Sequence, residues 1–118
     1  MAAKDAVGRY GQRVAVDYLV GQGMSLLDRN WRCRSGEIDA ILRDGAVLVF
    51  VEVKTRRGGA YGTPAEAVGR VKRSRLRRLA ALWLAQSGLH SPEVRFDLVS
   101  VLPQRAGRAA VEHLPGAF

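Results

Sequence analysis

The sequence predicts an α/β or α+β sandwich, a mixed sheet covered by helices, with elements in the order α-β-β-β-α-β. Three observations carry the prediction. A helical apolar stripe opens the chain, two apolar β runs flank Asp44-Gly45, and a capped helix is followed by an alternating strand. From about Asp5 to Gln22, Val7, Tyr10, Val14 and Tyr18 recur every three or four positions, and Ala15 and Leu19 widen the stripe. That is the period of an amphipathic helix. Gly21 and Gly23 end it, and Met24 to Leu27 reads as a short strand. Ile38 to Leu42 and Ala46 to Val53 are the strongest β signal, with Asp44-Gly45 as a tight hairpin turn. A polar, glycine-rich loop covers Thr55 to Gly62. Thr63 then reads as an N-cap, Pro64 as the first helical residue and Glu66 as the closing acid of a capping box. This helix runs to about Ser87, with Gly69 as a weak point. It carries the stripe Leu76, Leu79, Ala80, Trp83 and Leu84, and Gly88 ends it. Val94, Phe96, Leu98 and Ser100 alternate with Arg95, Asp97, Val99 and Val101 in a last strand. From Pro103 the chain reads as a loose tail, 103–118.

The 118 residues fit one domain, 1–118. A 47% apolar fraction is that of a globular protein rather than a disordered one. The longest apolar run, Ala46 to Val51, is too short to span a bilayer, and Lys4 and Asp5 without an apolar segment predict no secretory signal. The single Cys33 forbids an internal disulfide and a cysteine-built zinc site, and it fits a reducing cytoplasm. The net charge of +8 and a pI near 10.8 make a polyanion the first partner to expect. Sixteen of the nineteen cations are Arg. Codon bias explains that choice, and so does phosphate recognition by planar guanidinium groups.

The central hairpin holds the informative polar residues. With Asp44 and Gly45 as the two turn residues, Asp39 faces Phe50, and Glu52 lies diagonally beyond it. Asp39, Phe50, Glu52 and Lys54 then share one side of the sheet. Val47, Val49, Val51 and Val53 share the other with Ile38 and Ala40. Two converging carboxylates repel, and their burial costs several kcal/mol unless a cation lies between them. Oxygen ligands of this kind select Mg²⁺ or Mn²⁺, with water and phosphate oxygens completing the shell. Such an ion polarises a phosphoryl oxygen and acidifies water. Lys54 can orient or deprotonate the attacking water and stabilise developing negative charge. Asp39, Glu52 and Lys54 are thus the parts of a metal-dependent phosphodiesterase, or equally the salt-bridged solvent face of a hairpin.

Gly36-Glu37-Ile38-Asp39 followed by Val49-Phe50-Val51-Glu52-Val53-Lys54-Thr55-Arg56 resembles the signature of the PD-(D/E)xK nuclease superfamily. With Gly8-Arg9-Tyr10-Gly11, Asn30-Trp31-Arg32, Gly62-Thr63-Pro64, Lys72 and Arg95-Phe96-Asp97, the chain from Gly8 to Leu102 resembles the YraN-like family of bacterial predicted endonucleases. That family is similar to archaeal Holliday-junction resolvases. The resemblance implies a restriction-endonuclease-like mixed sheet flanked by helices and Mg²⁺-dependent cleavage of DNA. It implies Asp39 and Glu52 as metal ligands, Lys54 as the catalytic lysine and Glu37 as an assisting acid. The family usually carries Glu after the glycine of the first helix, where this chain has Gln12. In the related resolvases that Glu supports the metal site. Gln12 is therefore a support with one negative charge fewer, which implies weakened metal affinity or lost activity.

Arg70, Lys72, Arg73, Arg75, Arg77 and Arg78 put six cations into nine residues. At about 100° per residue they occupy more than one face, either as solvated surface or as a clamp on phosphates. Lys72, by resemblance, faces the site, and Arg73 lies beside it. Arg56 and Arg57 follow the acidic strand where a phosphate would approach. Trp31 is either a base-stacking residue or a cover on the core. Asp97 reads as a structural partner of an arginine, and His90 and His113 as loop and tail residues. The expected function is Mg²⁺- or Mn²⁺-dependent hydrolysis of DNA, at branched or damaged sites by the resolvase analogy. The alternative is a nucleic-acid-binding module of the same fold with weak or no catalysis. Paired cuts on a junction would require a homodimer. A membrane partner is not expected, because the basic helix's apolar stripe is needed for the core.

Overall fold

The computed structural model describes residues 3–56, 69–90 and 93–118. The chain runs α1 (Ala3–Gly21), β1 (Ser25–Cys33), β2 (Gly36–Asp44), β3 (Val47–Thr55), α2 (Arg70–Ser87), β4 (Glu93–Leu102) and β5 (Ala110–Leu114). The five strands form one sheet in sequence order. β3 and β4 pair in parallel and every other neighbour is antiparallel, giving the mixed sheet expected. A parallel pair needs a long crossover, and the segment containing α2 supplies it.

The helices take opposite faces. Ala15, Val16 and Leu19 of α1 pack with Ala40, Leu42, Val49, Val51, Val99 and Val101. Leu76, Leu79, Ala80 and Trp83 of α2 pack with Ile38, Ile41, Leu48, Phe50, Phe96 and Leu98. Covered on both sides, β3 is apolar at every position from Val47 to Val51, which explains that unbroken run. Aromatic rings tie the α2 layer together. Phe50 meets Trp83 edge-on at 5.7 Å and stacks on Phe96 at 5.6 Å.

The structure corrects five local expectations. The hairpin turn is Gly45-Ala46, closed by Asp44 facing Val47, so each residue of β2 meets a partner two positions further along β3. Gly45 has a positive φ of 62°, which the glycine there adopts freely. A shift of two keeps every side chain on its face. The pairing expected at Asp39 therefore moves from Phe50 towards Glu52. Secondly, β1 extends nine residues rather than four and includes Trp31, which covers the α2-side core. Thirdly, Ile38 lies on the α2 side together with Ile41 rather than with Ala40. Strand alternation breaks at this level: Asn30 has φ 50°, and no Asn30–Asp39 pair forms between Arg29–Ala40 and Trp31–Ile38. Fourthly, α2 starts after Gly69, which is extended, rather than running through it. Glycine is a poor helix former. The Thr63, Pro64 and Glu66 start lies outside the described residues, as does Arg57.

Lastly, the segment from Pro103 is not a loose tail. β5 pairs with β4, Phe118 is buried in the α2-side core, and its N–H donates to the Phe96 carbonyl. Arg77 donates to the Phe118 carbonyl at 3.2 Å and lies over the Phe96 ring at 4.9 Å. Beneath this segment Asp97, fully buried, accepts hydrogen bonds from Arg95 Nε and Nη2, the Gly116 N–H and the His113 ring. Burial would raise the Asp97 carboxyl, but these donors, Arg95 foremost, hold it below the ordinary carboxylate range. Asp97 is thus a structural anchor, as expected, and His113 is a strand residue fastened to it.

Candidate active site

The acidic pair sits where β2 and β3 part. The last residues in register are Ala40 and Val51. One step further, the Asp39 carboxylate replaces the ladder: Oδ2 accepts the Val53 N–H at 2.7 Å. Its other oxygen accepts a bond from Gln12 Nε2 at 3.1 Å. Gln12 reaches that point because α1 lies against the end of β3. A β-carbon on Gly11 would overlap the Thr55 side chain, so only glycine allows the approach. Gln12 is therefore brought to Asp39 as expected, but as a hydrogen-bond donor.

Glu37, Asp39 and Glu52 line one cavity of about 260 Å³ with Gly36, Arg75 and Leu76. Burial, the Glu52 charge and hydrogen bond, and the Glu37 charge push the Asp39 carboxyl up to about 7, against the opposing pull of the Val53 N–H. Near neutral pH the Asp39 carboxyl therefore takes up a proton. Glu37 also pairs with Arg32 at 3.2 Å across the β1–β2 ladder. Lys72 reaches over from α2 and places Nζ 2.9 Å from Glu52 Oε2, both side chains largely shielded from water.

Lys54 is exposed, two residues beyond Glu52 on the same strand. Lys54 is not among the residues that line the cavity, whereas Arg75 lines it and Lys72 pairs with Glu52. The six cations of α2 thus divide. Lys72 pairs with Glu52 and Arg75, one turn on, lines the cavity; Arg77 holds Phe118; all six but Lys72 are exposed. Arg56 continues the β3–β4 pairing by donating its N–H to the Val101 carbonyl, with its side chain half-buried. Arg75 was not singled out by sequence. Its i+3 relation to Lys72 and its place before Leu76 in the apolar stripe are the signal that could have found it.

The donor set suits a hard dication. Two carboxylates with adjoining charge, a cavity open to water and nearby cations for phosphate fit Mg²⁺ or Mn²⁺, which take few protein ligands and fill the remainder with water and phosphate oxygens. Among the described residues, no three His, Cys, Asp or Glu side chains form a complete ligand cluster. Trp31 and Cys33 pack on the core, and Trp83 Nε1 donates to Asp28 at 3.1 Å, so none of the three belongs to the site.

A small mixed α/β protein with paired carboxylates where the antiparallel β2–β3 pair opens is the class that fold and site define. The chain belongs to the uncharacterised protein family UPF0102, the YraN family, whose profile matches residues 11–101. It is 59% identical to a UPF0102 protein of Beutenbergia cavernae over 98% of both chains. It is 56% identical to one of Frankia alni, over 100% of this chain and 98% of that one. A relative from a Nocardioides species is 53% identical over 98% of this chain and 93% of its own. No helix among the described residues is long and apolar enough to cross a membrane.

Proposed function

We propose that this protein is a Mg²⁺- or Mn²⁺-dependent nuclease that hydrolyses DNA phosphodiester bonds. The observation that carries the reading is the convergence of Asp39 and Glu52 in one cavity, with Arg75 at its wall and Lys72 paired to Glu52. Asp39 and Glu52 would hold the ion, and Gln12 and the Val53 N–H fix the Asp39 carboxylate in place. When bound, the ion supplies Lewis-acid polarisation of the phosphoryl group and a more acidic water. Arg75 and Lys72 hold the phosphate, and Lys54 stands at the exposed end of β3 where it can orient the attacking water. Arg56, Arg73 and the basic surround engage neighbouring phosphates, with affinity falling as salt rises. Branched or damaged DNA as the preferred form rests on the resolvase resemblance, and so does a homodimer for paired cuts.

The test is incubation of the protein with branched, single-stranded and duplex DNA and Mn²⁺, beside Asp39→Ala and Lys54→Ala. Cleavage by the native chain that is lost in Asp39→Ala is the expected result. Cleavage that survives both substitutions refutes the assignment. Gln12 favours a second reading, a DNA-binding module without catalysis, because its amide donates to Asp39 where another acid would add negative charge. Salt-dependent binding without cleavage under any divalent ion would select that reading.

A further inference from the structure

We propose that Lys72 is a displaceable internal counter-ion. Its ammonium neutralises Glu52 while the cavity holds no dication, and an incoming divalent ion releases it to grip, with Arg75, the non-bridging oxygens of a phosphodiester. The proposal rests on the nuclease reading and adds to it a coupling between metal and phosphate.

The geometry sets up a competition. Lys72 Nζ lies 2.9 Å from Glu52 Oε2, and their side chains are 25% and 17% exposed. The pair is shielded enough for its charge compensation to matter, yet one edge remains open to solvent. Glu52 shares its cavity with Asp39 and Glu37, so removal of the ammonium leaves three acids facing one another. A dication and the ammonium compete for the negative charge of one carboxylate, and their like charges repel. Lysine suits release, because its ammonium is strongly hydrated and rides a flexible four-carbon stem. Arg75 lies one turn further along α2 on the same cavity. A freed Lys72 therefore finds a second cation in reach with which to bracket a phosphate. Arg77, by contrast, is committed to the Phe118 carbonyl and the Phe96 ring.

Each ligand alone meets opposition. A phosphate meets the acids of the cavity, and a dication meets the ammonium already on Glu52. Together they remove both costs, so each strengthens the other's binding by the same factor.

The experiment is Mn²⁺ titration of the full chain and of Lys72→Met by calorimetry, with cleavage followed in parallel. Lys72→Met is expected to bind Mn²⁺ about tenfold more tightly, since one cation is withdrawn from the dication's neighbourhood, and to cleave more slowly. Equal or weaker Mn²⁺ binding by the variant overturns the proposal and leaves the nuclease reading standing. Absence of Mn²⁺ binding by either protein overturns both. A second measurement needs no variant. In the native chain, Mg²⁺ should move the Lys72 side-chain resonances towards those of a solvated lysine, and saturation by Mg²⁺ without such movement overturns the proposal.

Discussion

Asp39→Asn should stabilise the metal-free protein, and more so at pH 8 than at pH 5. The native carboxyl titrates near 7, against an ordinary 3.8. The folded chain thus holds this proton more tightly than the unfolded one, and stability falls as pH rises between those values. The accumulated loss is about 4 kcal/mol by pH 8 and about 1.5 kcal/mol at pH 5. Asparagine keeps the oxygen that accepts the Val53 N–H and carries no charge, and Gln12 can turn its amide to accept from it. With solvent reaching the half-buried group, the gain at pH 8 should exceed that at pH 5 by about 2 kcal/mol. For a chain of this size that is a difference of about 10 °C in melting-temperature increment. Thermal unfolding in chelator at the two pH values measures it. A variant that melts lower than the native chain at pH 8, or gains equally at both, refutes the reasoning. The same variant should lose stabilisation by added Mn²⁺.

Three further outcomes follow from the packing. Gly11→Ala should destabilise by about 1–3 kcal/mol through overlap with Thr55, whereas Gly8→Ala, with open space around it, should gain up to about 1 kcal/mol in helix propensity. Paired urea titrations read both. Asp97→Asn should cost about 3–5 kcal/mol, because Arg95 is left without its buried anion; chemical denaturation at pH 7 checks it. Because the native Asp97 carboxyl lies below its ordinary 3.8, its contribution is present above that pH and drains away as acid carries the pH below it. Phe118→Ala should cost about 3 kcal/mol and expose Phe96, which faster hydrogen exchange at the amide of residue 118 would reveal.

Much of this arrangement could be read from residue order. Periodicity placed α1, the hairpin and the apolar half of α2, because each buries a face long enough to impose its period. The acidic pair was legible because a two-residue register error leaves faces unchanged, so Asp39 and Glu52 stayed together although their partners moved. Three features were hidden. β5 is only five residues long and follows a polar stretch, so its alternation is too brief to register, and its pairing depends on the buried Asp97. Ile38 violates alternation where Asn30 has its positive φ and no Asn30–Asp39 pair forms, which follows from tertiary geometry. The division of labour along α2 was invisible because six adjacent cations look alike until Glu52, Phe118 and the cavity select among them.

The bond from Val53 to Asp39 gives that carboxylate two separable duties. One, under the proposed nuclease reading, is to ligate; the other is to finish the edge between two strands, which any oxygen-bearing side chain of the same length can do. A member of the family that abandoned chemistry would still be under pressure to keep Asp or Asn there, and would be free to change Glu52 and Lys72 first. In sorting active from inactive relatives, position 39 is therefore a poor witness and position 52 a good one.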